Sequence, residues 1–269
     1  MEDRKKVVLI TGASSGIGKC IAEKLAAANY TVYGTSRKPE RIKELLPYKM
    51  LSLDVTKQDS VEECIATIIK EEGKINILIN NAGFAHLGFV EETDESLARK
   101  QIETNFWGCM RMTKAVIPFM RERNSGTILQ ISSLAGSIGV PMQAYYSASK
   151  HAVDGFTKSL RMELKKFNIK VVLVKPGFIK TDLADSFLES ETYISDYNSL
   201  RKSIKGVIQT SLKNGNSPNK VAEDVLKILK KSNPSYYYNI GSQSTWLPKL
   251  YYIFPNLFEF GSLKKFKIK

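Results

Sequence analysis

The chain has 269 residues, 43% hydrophobic and 25% charged, a globular composition that excludes a collagen, a coiled coil or a disordered tail. Its 40 Lys and Arg against 27 Asp and Glu give a formal charge of +13, which reads either as a lysine-rich solvated surface or as an attraction to phosphates. No apolar run approaches the ~20 residues of a membrane span, and the apolar run Val7 to Ile10 is too short for a signal peptide, so a cytoplasmic protein is expected.

Val7-Val8-Leu9-Ile10 is a short β-branched run ending at a glycine turn, the pattern of a buried strand. Ile21, Leu25 and Ala28 then fall at helical spacing between about Ile17 and Asn29. A second strand is read over Thr31 to Thr35 and a third over Met50 to Leu53, closed by Asp54. Ser60 to Glu72 is helical, with Val61, Cys64, Ile65 and Ile68 on one stripe. Ile75 to Ile79 is a fourth strand. A long helix from Asp94 to Arg123, bent near Pro118, leads to a fifth strand over Thr127 to Ile131. A second long helix, Ala144 to Phe167, precedes a sixth strand over Ile169 to Val174, ended by Pro176-Gly177. The pattern loosens from Phe178 to Gly215, which reads as a substrate cap (178–215) near a ligand crevice. Lys220 to Lys231 is amphipathic, Ser235 to Ile240 is a last strand, and residues 243–269 form an aromatic and basic tail.

Strands alternating with helices predict an α/β fold, a doubly wound parallel sheet of about seven strands with helices on both faces. No repeat or low-complexity linker divides the chain, so one domain over residues 1–269 is expected. Cys20, Cys64 and Cys109 form no CxxC pair and read as reduced, mostly buried thiols. His86 and His151 are the two histidines, which excludes a multi-histidine metal site; no metal is expected. His86 stands open between a solvated loop residue and a substrate contact, and His151 is given no role.

The loop Thr11-Gly12-Ala13-Ser14-Ser15-Gly16-Ile17-Gly18 joins the first strand to the first helix. Its glycines permit a tight turn and let a pyrophosphate approach the backbone at the positive end of the helix. Ala13 to Cys20 nearly matches a P-loop, with Gly18-Lys19 in place. Cys20 stands where the Mg²⁺-binding hydroxyl belongs and the leading glycine is shifted, which argues against a nucleotide triphosphatase.

The glycine spacing GxxxGxG, with later residues in order, resembles the short-chain dehydrogenase/reductase family. Those residues are Asn80-Asn81-Ala82-Gly83, Asn105, Ser132-Ser133-Leu134-Ala135-Gly136, Tyr146-Ser147-Ala148-Ser149-Lys150 and Pro176-Gly177-Phe178-Ile179-Lys180-Thr181. The resemblance runs from Lys5 to about Thr181. It implies a Rossmann-like fold and hydride transfer between nicotinamide and a carbonyl or alcohol. Tyr146 and Lys150, four apart, share one helix face. The family assigns Tyr146 as proton donor and acceptor, and Lys150 as the group that eases its ionisation and holds the ribose. Tyr145 is not four before the lysine. Ser133 is matched to the serine that holds the substrate oxygen, with Ser132 a strand-end hydroxyl, and Asn105 to the asparagine that positions a water beside the lysine.

The resemblance also implies the rest of a cofactor site. Gly12, Ser14, Ser15, Gly16, Ile17 and Gly18 would hold the pyrophosphate, and Asp54 and Val55 the adenine. Asn81, Ala82 and Gly83 would pass under the ribose. Pro176, Gly177, Ile179 and Thr181 would flank the nicotinamide, the last two bonding its carboxamide. After the second strand, Ser36-Arg37-Lys38 offers no carboxylate for ribose hydroxyls, and Arg37 can pair with a 2′-phosphate. Ser15 stands where some relatives carry a second basic residue. NADP(H) is expected over NAD(H).

The implied activity is a carbonyl reductase or alcohol dehydrogenase, with the wording of the motifs closest to hydroxysteroid, retinol and acyl-ketone reductases. An epimerase or dehydratase would need Gly at Ser15, and an enoyl reductase a wider tyrosine-to-lysine gap. A non-enzymatic NADP(H)-binding redox sensor and a peripheral lipid-surface protein remain as rivals. The second rests on Tyr251, Tyr252, Phe254, Phe258 and Phe260 interleaved before terminal lysines. A small-molecule partner is expected, nucleic acid is not, and membrane contact through the tail stays open. Val153, Phe156, Leu160 and Leu164 exceed what one sheet face needs, which predicts a homodimer or homotetramer.

Overall fold

A computed structural model describes residues 5–180 and 187–268. Its centre is a seven-stranded sheet in which every pairing is parallel. The strands are β1 (Val7–Ile10), β2 (Thr31–Ser36), β3 (Lys49–Ser52), β4 (Ile77–Asn80), β6 (Gly126–Ile131), β7 (Ile169–Pro176) and β9 (Tyr237–Ile240), in spatial order 3-2-1-4-6-7-9. The chain runs outward from β1 to β3 and then returns to place β4 on the other flank of β1. This reversal opens a crevice at the carboxyl ends of the strands, where ligands of open α/β sheets bind. A separate two-stranded sheet pairs β5 (His86–Leu87) with β8 (Leu188–Glu189).

Strand periodicity decides which helix each residue meets. Val8 and Ile10 face α1 (Gly16–Ala27) and α7 (Pro218–Leu229), packing with Ile21, Leu25, Val221 and Val225. Val7 and Leu9 face α2 (Gln58–Glu72), α4 (Cys109–Glu122) and α5 (Ala144–Leu164), among Ile65, Ile68, Met112 and Leu160. Each such aliphatic side chain contributes roughly 1.5–3 kcal/mol on burial. Both faces of the sheet are therefore dry, as its unalternated apolar strands require. Ser217 begins α7 by accepting a hydrogen bond from the Lys220 amide, with Pro218 at the first helical position.

Three expectations are corrected. The predicted long helix breaks into α3 (Glu95–Ile102), a π turn over Glu103–Gly108, and α4; α4 itself runs on through Pro118. The loose segment holds a 16-residue helix, α6 (Asn198–Lys213), and the tail forms α8 (Ser242–Ile253) and α9 (Pro255–Phe266). Val153, Leu160 and Leu164 are buried within the chain and Phe156 packs partly against the same core, so these residues are no spare face for a second subunit. Cys64 and Cys109 are buried and Cys20 is half-buried.

The cap is tied down by a buried pair. Arg201 of α6 donates to Glu92, whose Oε1 also accepts from the Ile194 amide at 2.7 Å. Phe89 stacks on Tyr197 at 4.2 Å between centroids. Ile204 and Ile208 of α6 then close over Leu87, Met142 and Phe266. Two charges out of water need each other, so either partner alone would be costly there.

His86 is buried on β5, with Nε2 3.1 Å from the Ser190 hydroxyl. It is neither solvated nor part of the cleft wall. Burial pushes its pKa below the ordinary 6.5, with Glu189 opposing the shift. The folded chain thus disfavours the proton that the unfolded chain accepts first. The β5–β8 pairing is expected to be firm above pH 6.5 and to loosen as pH falls below it. Hydrogen exchange at Leu188 across that range checks this. An equal pH slope in His86→Asn would contradict it.

Candidate active site

The carboxyl ends of β1, β2, β4, β6 and β7 and the segment after β3 all open into one cleft of about 1160 Å³. Gly12, Ser14, Ser15, Gly16 and Ile17 line it from the loop after β1, and Ser36 and Arg37 from the end of β2. Asp54 and Val55 follow β3, and Asn81, Ala82 and Gly83 follow β4. Ser132 and Ser133 follow β6, Pro176 ends β7, and Gly177 and Ile179 follow it. Tyr146 and Lys150 reach in from α5. Thr181 lies outside the described residues.

The glycine loop is locked from below. Gly12 and Gly16 have φ of 67° and 55°, a region where a side chain is strained. Thr11 Oγ1 accepts from the Asn81 and Ala82 amides at 3.0 and 2.9 Å. In return Asn81 Nδ2 donates to the Thr11 and Gly12 carbonyls at 3.0 and 2.9 Å. Gly18 does not line the cleft. It sits under the loop, where a Cβ would come within 2.2 Å of the Gly12 carbonyl oxygen and 2.4 Å of Asn81 Nδ2. The first turn of α1 holds no acid, and the Ser15 hydroxyl makes no cap bond to it. Free amides and the helix dipole therefore face the cleft, a site that favours phosphate.

At the β2 end, Arg37 is exposed and has no ion-pair partner among the described residues. Asp54 Oδ1 accepts from the Thr56 amide and hydroxyl at 3.0 and 2.7 Å. Burial raises its pKa, but those bonds and the Arg37 charge outweigh it, leaving the carboxyl below its usual value. A dinucleotide fits this set: a glycine cradle with no room for Cβ, an open helix N-terminus, and a free guanidinium beyond the second strand.

The tyrosine pair resolves cleanly. Tyr146 lines the main cleft, whereas Tyr145 lines an adjoining depression with Trp107, and Arg99 borders both. Lys150 is buried, with Nζ donating to the Ile131 carbonyl at 2.9 Å and lying 5.8 Å from the Tyr146 ring centroid. The two serines also part. Ser132 donates to Asp154 Oδ1 at 2.5 Å, and Asp154 pairs with Lys175 at 2.5 Å. The Ser133 hydroxyl accepts from the Ala135 amide at 3.1 Å and keeps its own proton to give.

Asn105 stands in the π turn, an insertion that re-phases the helix by one residue. Its Nδ2 donates to the Phe84 carbonyl at 2.9 Å and the Ser149 hydroxyl at 3.1 Å, and its Oδ1 accepts from the Phe84 amide at 3.0 Å. A Cβ on Gly83 would lie 2.9 Å from that Oδ1. Asn105 thus binds the loop after β4 to α5 directly behind Lys150, with both amide hydrogens engaged.

Sequence reasoning missed the far wall. Phe84, Val140, Phe178, Phe187, Ile208 and Leu212 give the cleft an apolar end, and Ser96, Arg99 and Lys100 of α3 line it too. Leu200, Ile204, Val207, Ile208 and Leu212 recur at helical spacing, a signal that would have found α6.

The family model described as short chain dehydrogenase matches residues 6–192. A protein of Bacteroides thetaiotaomicron named 3-ketodihydrosphingosine reductase is 40% identical over 254 residues, covering 90% of this chain and 93% of that one. A Xenopus laevis protein named dehydrogenase/reductase SDR family member 7B is 34% identical, covering 82% and 70%. Among solved structures, a short-chain dehydrogenase from Streptomyces avermitilis is 31% identical, with a TM-score of 0.85 over 98% of this chain and 99% of its own. A structure described as ElxO with NADP bound is likewise 31% identical, with a TM-score of 0.74 over 90% and 99%. With its parallel sheet, its glycine loop and its Tyr146–Lys150 pair in one cleft, the chain belongs to the short-chain dehydrogenase/reductase family, oxidoreductases acting on CH–OH groups.

Proposed function

We propose that the protein is an NADP(H)-dependent reductase of a ketone on a long apolar molecule, working through Ser133, Tyr146 and Lys150. One observation carries this reading. The cleft lined by the glycine loop, Tyr146 and Lys150 is also lined by Phe84, Val140, Phe178, Phe187, Ile208 and Leu212, of which Val140, Phe187, Ile208 and Leu212 pack in one apolar cluster. A long-chain ketone of the kind named for the Bacteroides relative suits such a wall, as a steroid or retinoid would.

Bound nicotinamide supplies or takes the hydride. The chain's own residues handle the oxygen. The Ser133 hydroxyl, with its proton free, donates to the substrate carbonyl and supports the charge that develops there. The Tyr146 phenol gives its proton to that oxygen. The Lys150 ammonium, fixed by the Ile131 carbonyl, favours the phenolate left behind. Asn105 holds the loop and α5 in register around them. The reading extends to a homodimer or homotetramer, with Trp107 and Met162 the exposed apolar residues on the π turn and α5.

Arg37 tests the cofactor. A guanidinium without an intramolecular partner is free to grip a 2′-phosphate in two parallel bonds. Losing such a charged pair costs about 1.5–3 kcal/mol. Arg37→Ala is expected to weaken NADPH binding roughly tenfold or more and to leave NADH nearly unchanged, as read by quenching of protein fluorescence. Equal loss for both dinucleotides would show that Arg37 does not choose between them.

A further inference from the structure

Helices α8 and α9 form a hairpin whose base is fixed and whose flank is bare. At the base, buried Ser244 donates to the Ile240 carbonyl at 2.9 Å. Phe266 inserts beside Met142, Ile204 and Ile208, and Ser203 donates to the Phe266 carbonyl at 2.7 Å. On the flank, Trp246, Tyr252, Ile253, Phe254, Leu257 and Phe260 are each more than half exposed. Single exposed apolar residues are ordinary, but six within 15 positions of one protruding hairpin are enough bare apolar surface to mark an interaction site. The same stretch, residues 242–269, carries five lysines, Lys249, Lys264, Lys265, Lys267 and Lys269, against the single acid Glu259.

We infer that this hairpin is a docking surface for an anionic lipid bilayer, with the aromatic flank entering the interface and the lysines holding the headgroups. Charge complementarity selects this occupant. A two-fold contact with a second copy would set one lysine-rich face against another, with only Glu259 on each to answer the charge. An anionic leaflet attracts each of them. Trp246 and Tyr252 join an apolar body to a polar tip, as residues at the headgroup level do. Among the described residues no helix is long and apolar enough to cross a membrane, so the contact is peripheral.

The base of the hairpin also borders the cleft. Lys265 Nζ lies 5.9 Å from the Phe178 ring centroid, and Ile208 packs with Phe266. Phe178 and Ile208 both line the apolar end of the cleft. Docking would bring that end against the bilayer, where apolar molecules collect.

The test is co-sedimentation of the full chain with vesicles of phosphatidylcholine alone or mixed with phosphatidylglycerol. The protein is expected to pellet with the anionic vesicles, to stay in solution with the neutral ones, and to release as salt rises. The double variant Phe254→Ser, Phe260→Ser and the triple variant Lys249→Glu, Lys264→Glu, Lys267→Glu are each expected to lower partitioning roughly tenfold or more. Unchanged circular dichroism and thermal midpoint would show that they fold. Should a variant not fold, the lipid and salt series on the parent chain decides. No pelleting with anionic vesicles, or equal pelleting with both kinds, overturns the inference. So does a Phe254→Ser, Phe260→Ser variant that changes the oligomeric state while vesicle partitioning holds, since the face would then belong to a second copy.

Discussion

Tyr146→Phe is expected to lower turnover of a carbonyl substrate by about 10²–10⁴-fold while NADPH still binds. The substitution keeps the ring, and with it the packing at the start of α5, and removes only the phenolic proton. Lys150 would remain anchored to the Ile131 carbonyl at 2.9 Å, so its charge stays in place with no phenolate to favour. Tyr145→Phe is the control. Tyr145 faces the depression beside Trp107 rather than the cleft, so its loss should be mild. Steady-state kinetics of both variants, with NADPH binding measured in parallel, separates the outcomes. A dead Tyr145→Phe beside an active Tyr146→Phe would shift the whole site by one residue. If neither substitution matters for any carbonyl tried, a non-enzymatic sensor of NADP(H) becomes the better reading.

Gly18→Ala is expected to weaken NADPH binding roughly tenfold or more, because shifting the loop spoils its charge-assisted hydrogen bonds to phosphate, worth about 1.5–3 kcal/mol. The new Cβ would lie 2.2 Å from the Gly12 carbonyl oxygen and 2.4 Å from Asn81 Nδ2. Neither neighbour can yield alone. The carbonyl is backbone, and Asn81 Nδ2 already donates to it and to Thr11. The loop would lift as a unit and carry the phosphate-facing amides with it. Gly206→Ala supplies the opposite sign. A Cβ there meets nothing within 4 Å, and Gly206 lies inside α6. It should stabilise by about 0.5–1 kcal/mol through a stiffer unfolded chain. Fluorescence titration and thermal melts check both. Unaltered NADPH affinity in Gly18→Ala would mean that the loop does not cradle the cofactor.

The centre of the sheet was legible because strands such as β1, β4 and β7 carry unalternated apolar runs punctuated by glycine, proline or asparagine. Val7–Ile10 and Ile169–Pro176 could hardly be anything but buried strands. The glycine loop and the Tyr146–Lys150 pair were legible because both are local: a tight turn and one helix face. The π turn was not, since it shifts the apolar stripe by a single residue within six positions, too short a stretch for the helical period to register. Pro118, which does leave a mark, sits inside a continuous α4. The apolar spacing of α6 was there to be read, but not the burial of Arg201 on the same face, since its charge is answered by Glu92 more than a hundred positions earlier.

By itself the sequence determined the parallel α/β architecture, the order of its motifs and the identity of the residues with chemistry to offer. Those rest on short-range rules: strand period, helix period and the φ freedom of glycine. Tertiary structure alone decided the partners of those residues. It gave Ser132 to Asp154 while the Ser133 hydroxyl kept its proton, and it set Tyr145 in a depression of its own, in line with the choice of Ser133 and Tyr146 made from spacing. It buried His86 against Ser190 and closed the apolar wall with residues from α6. Each of these depends on which distant segment supplies a partner, and burial makes that choice binding, because a polar group out of water must find one.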